Sequence, residues 1–600
     1  MNEAQRNSFL QGTETRAYRF MGCHKDDRNG RKGYVFRVWA PNAESVHVAG
    51  SFNNWHSMPM DRLEGGIFEL LVPQAREWDV YQYAIVTPDG KTIWKADPYG
   101  FHMSQDGFSQ ICNIEGYTWK DGIYRRAQAR KKLLQNPINI YELHIGSWRR
   151  KADGDFYTYA ELAEVLVPYV KEMGYTHIEL MSIAEYTDWC YGVIGHFAPS
   201  SRYGTPQELM AFVDACHQEG IGVLMNWVCG HFSDFERGLA EFDGTCCYEY
   251  FDPEFQIDPQ HQTWRFDVGR FEVRSFLLSN AIYWIDEYHL DGLRIDGVAS
   301  MIYLQDKENP DTIAFLRQVN QATQALRTNI IMAAEDSSAY PNLTGSVEEG
   351  GLGFTMKWNT DWVDDMQRYL ALDPVYRKYH HDNLTYSMEY AFTENFILPI
   401  PHDVAMSGNG SMIEQIAGYY DDKFANLRTF YGFQMSHPGK KLNFMGNEFA
   451  QFSEWDADGS LDWLMTEYDR HGQMQRWVKD LNHYYLDCKA LWQNDGDEAG
   501  FQWIQADDTE HSVLAYRRID RKGREVIVIC NFCPVFWDHH RIGLPKKGCY
   551  IPVLCSDSLI YGGTGVPLYA VRSEPIPNNG QMFSAEFMIP PLSVTFYEME

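Results

Sequence analysis

The sequence predicts an α/β protein, a (β/α)8 barrel flanked by an N-terminal β-sandwich and a C-terminal all-β domain. Three observations predict it. The middle of the chain alternates short apolar runs with helical stretches, the pattern of a parallel sheet whose strands are joined by crossover helices. Both flanks alternate short strands with turn signals, as antiparallel sheets do. At 600 residues the chain is also too long for one core and suits about three to five domains.

Met1 to Arg19 is polar and charged, with no apolar run long enough for a signal peptide or a spanning helix, so a cytoplasmic protein is expected. From Gly33 to about Tyr117, strands such as Tyr34-Val-Phe-Arg-Val-Trp39 and Val80-Tyr-Gln-Tyr-Ala-Ile-Val86 are broken by Pro-Asn, Asn-Asn and Asp-Gly turns, and residues 1–119 are read as a β-sandwich. Residues 120–136, basic and polar, are read as a linker. The barrel is assigned to 137–491, with strands at 138–143, 177–181, 222–225, 292–295, 329–334, 353–358, 395–399 and 441–445. Helices near 159–173, 206–219, 272–287 and 311–325 separate the first five strands. Eight strands are what a closed barrel requires. From Val513-Leu-Ala-Tyr-Arg517 to Ser593-Val-Thr-Phe-Tyr597 strands and turns alternate again, and residues 492–600 are read as a C-terminal β-sandwich.

Composition narrows the function. With 52 basic and 82 acidic residues the net charge is -30, which repels phosphate backbones and anionic lipid, so neither nucleic acid nor membrane is an expected partner. Aromatic residues make up 15% of the chain, including 18 Trp and 37 Tyr; core packing accounts for most, and flat rings also suit the apolar faces of sugars. The twelve cysteines are scattered and are expected to be reduced thiols. Cys530-Asn-Phe-Cys533 follows a strand-like run without the helix of a redox site or a second pair for zinc, and His380-His381-Asp382 offers no third ligand. Both are read as structural.

Three apolar runs end on carboxylates: Asp291-Gly-Leu-Arg294-Ile-Asp296, Ile330-Ile-Met-Ala-Ala-Glu335-Asp336 and Ile397-Leu-Pro-Ile-Pro-His402-Asp403. Side chains at the C-terminal ends of barrel strands converge on one rim, and three acids there point to glycosidic bond chemistry. Cleavage with retention needs a carboxylate nucleophile and a carboxylic acid that protonates the leaving oxygen, about 5–5.5 Å apart. A third acid stabilises the positive charge that builds on the ring. Asp296 lies two residues beyond Arg294, so on an extended strand both face the same side and Arg294 holds the nucleophile ionised. Glu335 is the candidate proton donor. A single acid at a strand end is as readily a cap or an ion pair; three together are harder to dismiss.

These residues sit in runs that resemble the glucan branching enzymes of the α-amylase superfamily. The resemblance spans nearly the whole chain and includes Tyr141-Glu-Leu-His-Ile-Gly-Ser-Trp-Arg-Arg150, Ala240-Glu-Phe-Asp-Gly-Thr245, Val298-Ala-Ser-Met-Ile-Tyr303, Lys423-Phe-Ala-Asn-Leu-Arg428 and Phe444-Met-Gly-Asn-Glu-Phe-Ala-Gln451. Upstream, Trp39-Ala-Pro-Asn-Ala43 and Gly50-Ser-Phe-Asn-Asn-Trp55 look like the glycan-binding-type sandwich of that family. The resemblance implies Asp296 as nucleophile, Glu335 as general acid/base and Asp403 as transition-state stabiliser. It implies Arg294 as the residue that orients Asp296, His231 and His402 as partners of sugar hydroxyls, and Tyr191 as a platform under the transferred sugar. Trp189 is read as local packing. The implied reaction moves an α-1,4-glucan segment to a glucan 6-hydroxyl, forming α-1,6 branches in glycogen, with no cofactor and no metal, in a monomer.

The chain departs from the family pattern at several positions. Asn226 stands where the family has Asp at the end of the third strand, and loss of one member of a buried pair with Arg294 costs ~3–5 kcal/mol. Trp189-Cys190-Tyr191-Gly192 replaces Trp-Gly-Tyr-Gln, Val404-Ala405 replaces Glu-Val, Asn409 replaces a basic residue, and the segment between Tyr303 and Asp311 is short. Two alternatives therefore stand beside a working branching enzyme: a catalytically impaired glycan-binding or regulatory paralogue, and an α-glucan hydrolase.

Overall fold

Eight parallel strands close into a barrel in which each strand pairs with the next in sequence and the last with the first. They are β1 Asn139–Leu143, β2 His177–Leu180, β3 Gly222–Trp227, β4 Gly292–Ile295, β5 Ile331–Ala334, β6 Met356–Trp358, β7 Phe396–Ile400 and β8 Lys440–Phe444. The computed structural model describes residues 1–28, 30–258, 262–406, 408 and 410–600. All eight strands fall within or next to the expected runs. The sixth is the shortest, Met356–Trp358, and the first residue of the expected run, Gly353, has a φ of +80° that keeps it out of an extended strand. The helices between the early strands also form where expected. Pro206–Gln218 shows why: Thr205 accepts from the Glu208 amide, Glu208 reaches back, and Pro206 fills the first turn where no amide is needed.

The chain divides into two units, residues 1–129, 156–165 and 180–355, and residues 130–155, 166–179 and 356–600. In the first, a four-stranded and a six-stranded antiparallel sheet form the N-terminal sandwich. Its core is aromatic: Phe36 of one sheet meets Tyr81 of the other edge-on at 4.9 Å. The polar N-terminus forms the helix Glu3–Leu10 under an Asn2/Gln5 capping box, and its Phe9 packs on Trp39. Lys95 ties this sandwich to the loop after β3 by donating to the Glu236 and Ala240 carbonyls at 2.7 Å each. The stretch expected to be a linker holds the helix Gly122–Gln128, and its buried Tyr124 donates to Asp291 just before β4.

In the second unit the C-terminal domain pairs a six-stranded antiparallel sheet with the two-stranded sheet Trp537–Leu544 and Phe583–Ile589. The helix Tyr420–Ser436 lies directly on strand Ser593–Met599. A Cβ at Gly432 would stand 2.1 Å from Val594 Cγ1, so only glycine permits that approach. Arg518 is buried whole and is neutralised by Asp495 at 2.7 Å.

Candidate active site

Parallel register sets Asn226, Arg294 and Ala333 side by side across β3, β4 and β5. Arg294 is buried, and its guanidinium serves two carboxylates at the ends of β4 and β5: Nη1 donates to Asp296 Oδ1 at 2.6 Å, and Nη2 stands 3.8 Å from Glu335 Oε2. The side chains of Asp296 and Glu335 keep 27% and 22% of their surface open. One buried cation thus stands beside two partly open acids at the strand ends. Gly297 follows Asp296 at φ +58°, a left-handed turn that costs glycine little, and its amide donates to Glu335 Oε2 at 2.7 Å.

The exchange at 226 has a visible compensation. Asn226 is fully buried; its Nδ2 donates to the Tyr191 hydroxyl at 2.8 Å, and Arg294 Nη1 stands 3.4 Å from the same oxygen. Arg294 therefore keeps two carboxylates and a phenol, and the expected cost of an unpaired buried charge does not arise. Asn226 Oδ1 is left buried without a hydrogen-bond partner.

The neighbouring departures also have physical content. Gly192 closes a tight turn through its amide to Trp189 O at 2.7 Å, and Trp189 packs on Tyr191 with ring centroids 5.7 Å apart. After Tyr303 the short segment is a two-stranded hairpin, Tyr303–Leu304 with Lys307–Glu308, turned by Gln305 and Asp306 at φ +49° and +60°. His231 sits on a two-stranded antiparallel ribbon, His231–Phe232 with Trp264–Arg265, opposite Arg265.

At the end of β7, His402 and Asp403 occupy a single 3-10 turn, His402–Ala405. Glu142 on β1 is wholly buried and grips His402 twice, accepting from its backbone amide at 3.0 Å and from Nδ1 at 2.7 Å. This fixes the ring and aims Nε2 at Asp403 Oδ1, 3.4 Å away. Asp403 itself is two-thirds exposed. Glu142 was not singled out in the sequence; its signal is a carboxylate inside an otherwise apolar barrel strand. Val404 and Ala405 are buried, so the position where the family carries Glu is filled here by an apolar side chain. Asn409 lies outside the described residues.

His381 is buried with Nε2 on the Ala506 carbonyl at 2.9 Å, and Cys530 lies inside a strand, where burial pushes its thiol up to about 12. All twelve cysteines are free. Among the described residues no helix is long and apolar enough to cross a membrane.

Comparison with known proteins agrees with this architecture. Residues 20–100 match carbohydrate-binding module 48 (isoamylase N-terminal domain), and residues 503–600 match the alpha amylase C-terminal all-beta domain. The 1,4-alpha-glucan branching enzyme GlgB of Halothermothrix orenii is 42% identical over 614 residues, covering 98% of this chain and 97% of its own. That of Aquifex aeolicus is 44% identical over 616 residues, covering 99% and 98%. Among solved structures, a putative alpha amylase from Salmonella typhimurium shares the fold at TM-score 0.71 and 17% identity, over 97% of this chain and all of that one. A pullulanase complexed with maltotetraose, from Anoxybacillus sp., does so at TM-score 0.74 and 16% identity, over 100% and 89%. Sequence identity above 40% across almost the full length, on a (β/α)8 barrel between these two flanking modules, decides the family: the chain belongs to the 1,4-α-glucan branching enzymes.

Proposed function

We propose that this protein is a working 1,4-α-glucan branching enzyme that uses double displacement at the barrel rim. Glu335 protonates the leaving glycosidic oxygen while Asp296 attacks the anomeric carbon, leaving a glucan segment esterified to Asp296. An incoming glucan 6-hydroxyl then gives its proton to Glu335 and displaces Asp296, which forms the α-1,6 bond and restores both carboxyl groups. Asp403 stabilises the cationic transition state, His402 and His231 hydrogen-bond the hydroxyls of the transferred sugar, and Tyr191 supplies a ring beneath it. The acceptor wins over water through acceptor binding and exclusion of solvent.

The observation that carries this reading is the buried Arg294 guanidinium between Asp296 and Glu335. It is a costly arrangement to keep in a fold that merely holds polysaccharide. The substrate class, 1,4-α-glucan, comes from the relatives' names, and glycogen is the branched product that the proposed reaction builds. A cleft of about 920 Å³ between the N-terminal module and the loop after β3 is lined by Trp55 and Trp94, flat rings suited to a glucan chain. We further assign the chemistry to residues 137–491, in a cytoplasmic monomer that needs no cofactor for this reaction.

A time course on amylose tests the proposal, following iodine absorbance and reducing ends together with Asp296→Asn as the blank. Branching lowers iodine colour with little gain in reducing ends, and debranching then releases new ends. Matched loss and gain means hydrolysis. Silence in both, with co-sedimentation on glycogen, means a binding paralogue, the reading that the short hairpin after Tyr303 and the buried Val404 favour.

A further inference from the structure

In the C-terminal sandwich, four polar side chains meet where the two sheets come together. Gln505 and Asp508 lie on strand Phe501–Asp508 of the larger sheet, His511 follows in the turn, and His540 lies on strand Trp537–Leu544 of the smaller one. His511 Nδ1 is 2.6 Å from Asp508 Oδ1, and His540 Nε2 is 3.2 Å from Asp508 Oδ2. Gln505 Nε2 stands 2.8 Å from Asp508 Oδ2 and 3.4 Å from His540 Nε2. One ligand atom from each of Asp508, His511 and His540 falls within 4.8 Å of the others. Both strands are irregular at this point: register shifts between Gln505 and Asp508 on one and between Trp537 and His540 on the other turn these side chains toward each other.

Hydrogen bonding alone does not satisfy the cluster. If His540 Nε2 carries a proton, it donates to Asp508 but faces the Gln505 amide as donor against donor. If it does not, its lone pair faces the Asp508 carboxylate. Turning the Gln505 amide over sets its oxygen against Asp508 Oδ2 instead. In the orientation present, Gln505 Oε1 is buried without a hydrogen-bond partner on a residue that is 91% buried, since 9% of its surface is exposed. An unpaired buried amide oxygen costs about 1–3 kcal/mol. With the Gln505 amide turned over, a cation at the centre removes these conflicts, because all four groups then act as acceptors.

We propose that Gln505, Asp508, His511 and His540 form a binding site for a zinc-class divalent ion that clasps the two sheets of the C-terminal domain. Two imidazoles, a carboxylate and an amide oxygen are a borderline nitrogen and oxygen set that suits zinc and is poor for calcium or magnesium. Ligand atoms around tetrahedral zinc stand roughly 3.3 Å apart, against 2.6 Å from His511 Nδ1 and 3.2 Å from His540 Nε2 to the Asp508 carboxylate here. The His511–Asp508 contact must open slightly, and His511, 41% exposed on a turn, is free to move. The ion takes the His511 Nδ1 and His540 Nε2 lone pairs, so each ring carries its proton on the other nitrogen and any extra proton is released on binding. Trp537, edge-on to His511 at 4.5 Å, screens the site. The site is separate from the barrel rim, and its role is to fix the sandwich.

The test uses full-length protein stripped with a chelator and titrated with ZnCl2. The parent should take up one ion per chain and melt at a higher temperature with it. In the His511→Ala/His540→Ala double variant affinity should fall at least about 100-fold, and in Gln505→Met about tenfold. Absence of uptake, or equal uptake by parent and double variant, overturns the proposal; in the latter case the ion sits elsewhere, as on the twelve free cysteines. Where the double variant fails to fold, Co2+ added to the parent decides. A tetrahedral nitrogen and oxygen spectrum supports the site, and a thiolate charge-transfer band or an octahedral spectrum overturns it.

Discussion

β4 carries a carboxylate at each end, and the two live in opposite surroundings. Asp291, just before the strand, is buried, and its Oδ2 meets three donors: the Val223 amide at 2.9 Å, His217 Nε2 at 2.9 Å and the Tyr124 hydroxyl at 3.1 Å. Burial works against its charge, but His217 and Arg327 outweigh that and hold its carboxyl far below the usual range. Asp296, just after the strand, leans on Arg294 and stays 27% open. Residue type and strand are the same; the end of the strand decides. At the N-terminal face a saturated acid locks β3, β4 and the helix Gly122–Gln128 together, while at the C-terminal face an acid stays partly open, the face on which the proposed chemistry lies.

The sharpest way to break this contrast is to neutralise each acid in turn. Asp296→Asn keeps an oxygen for Arg294 but removes the proposed nucleophile, so transfer on amylose should fall by at least about 10⁴-fold with a melting curve close to the parent's. Asp291→Ala should do the reverse. It leaves His217 Nε2, the Val223 amide and the Tyr124 hydroxyl without their shared acceptor and should cost about 3–5 kcal/mol in denaturant unfolding, while the protein that remains folded turns over normally. If Asp291→Ala abolished turnover without loss of stability, the division between the two ends would fail.

A subtler effect separates the N-terminal knot by its pH dependence. Burial lowers the pKa of His217, but Asp291 and Asp121 overcome it and raise it above the ordinary 6.5. His289, on the other side of Asp121, is brought down to about 4 by burial and Arg125 and stays neutral. A histidine raised on folding contributes stability that is complete below about pH 6.5 and is lost as pH rises through its folded value. The stability gap between the parent and His217→Gln should therefore be widest near pH 6 and narrow steadily toward pH 9 in urea melts. A gap that widens with pH would mean His217 is buried neutral.

How much of this was legible in the sequence depends on whether the deciding contact is local. Arg294 and Asp296 are two residues apart on a strand, so their shared face follows from period-two geometry, and the structure has them paired. The eight strands were likewise legible as apolar runs. Glu142 and His402 are 260 residues apart, and nothing in either run announces that one grips the other. Asp508 and His540 meet across two sheets because both strands carry register shifts, which sequence patterning does not reveal. The helix Glu3–Leu10 was hidden by its polarity; Phe9 is its only buried residue.

Asn226 is where local reading gave the right question and structure the answer. A carboxylate there would become the third around one guanidinium that already serves Asp296 and Glu335, and it would have to accept from the Tyr191 hydroxyl that the amide now donates to. The gain from one more opposite charge is offset by repulsion among the acids and by burial of a second anion beside Asp296. Asn226→Asp is therefore expected to change the initial branching rate by less than about tenfold, or 1.4 kcal/mol, the smallest effect of the four. A larger gain would show that the Tyr191 link does not replace the missing charge, and the β4 rim would then be a weakened form of the family's site.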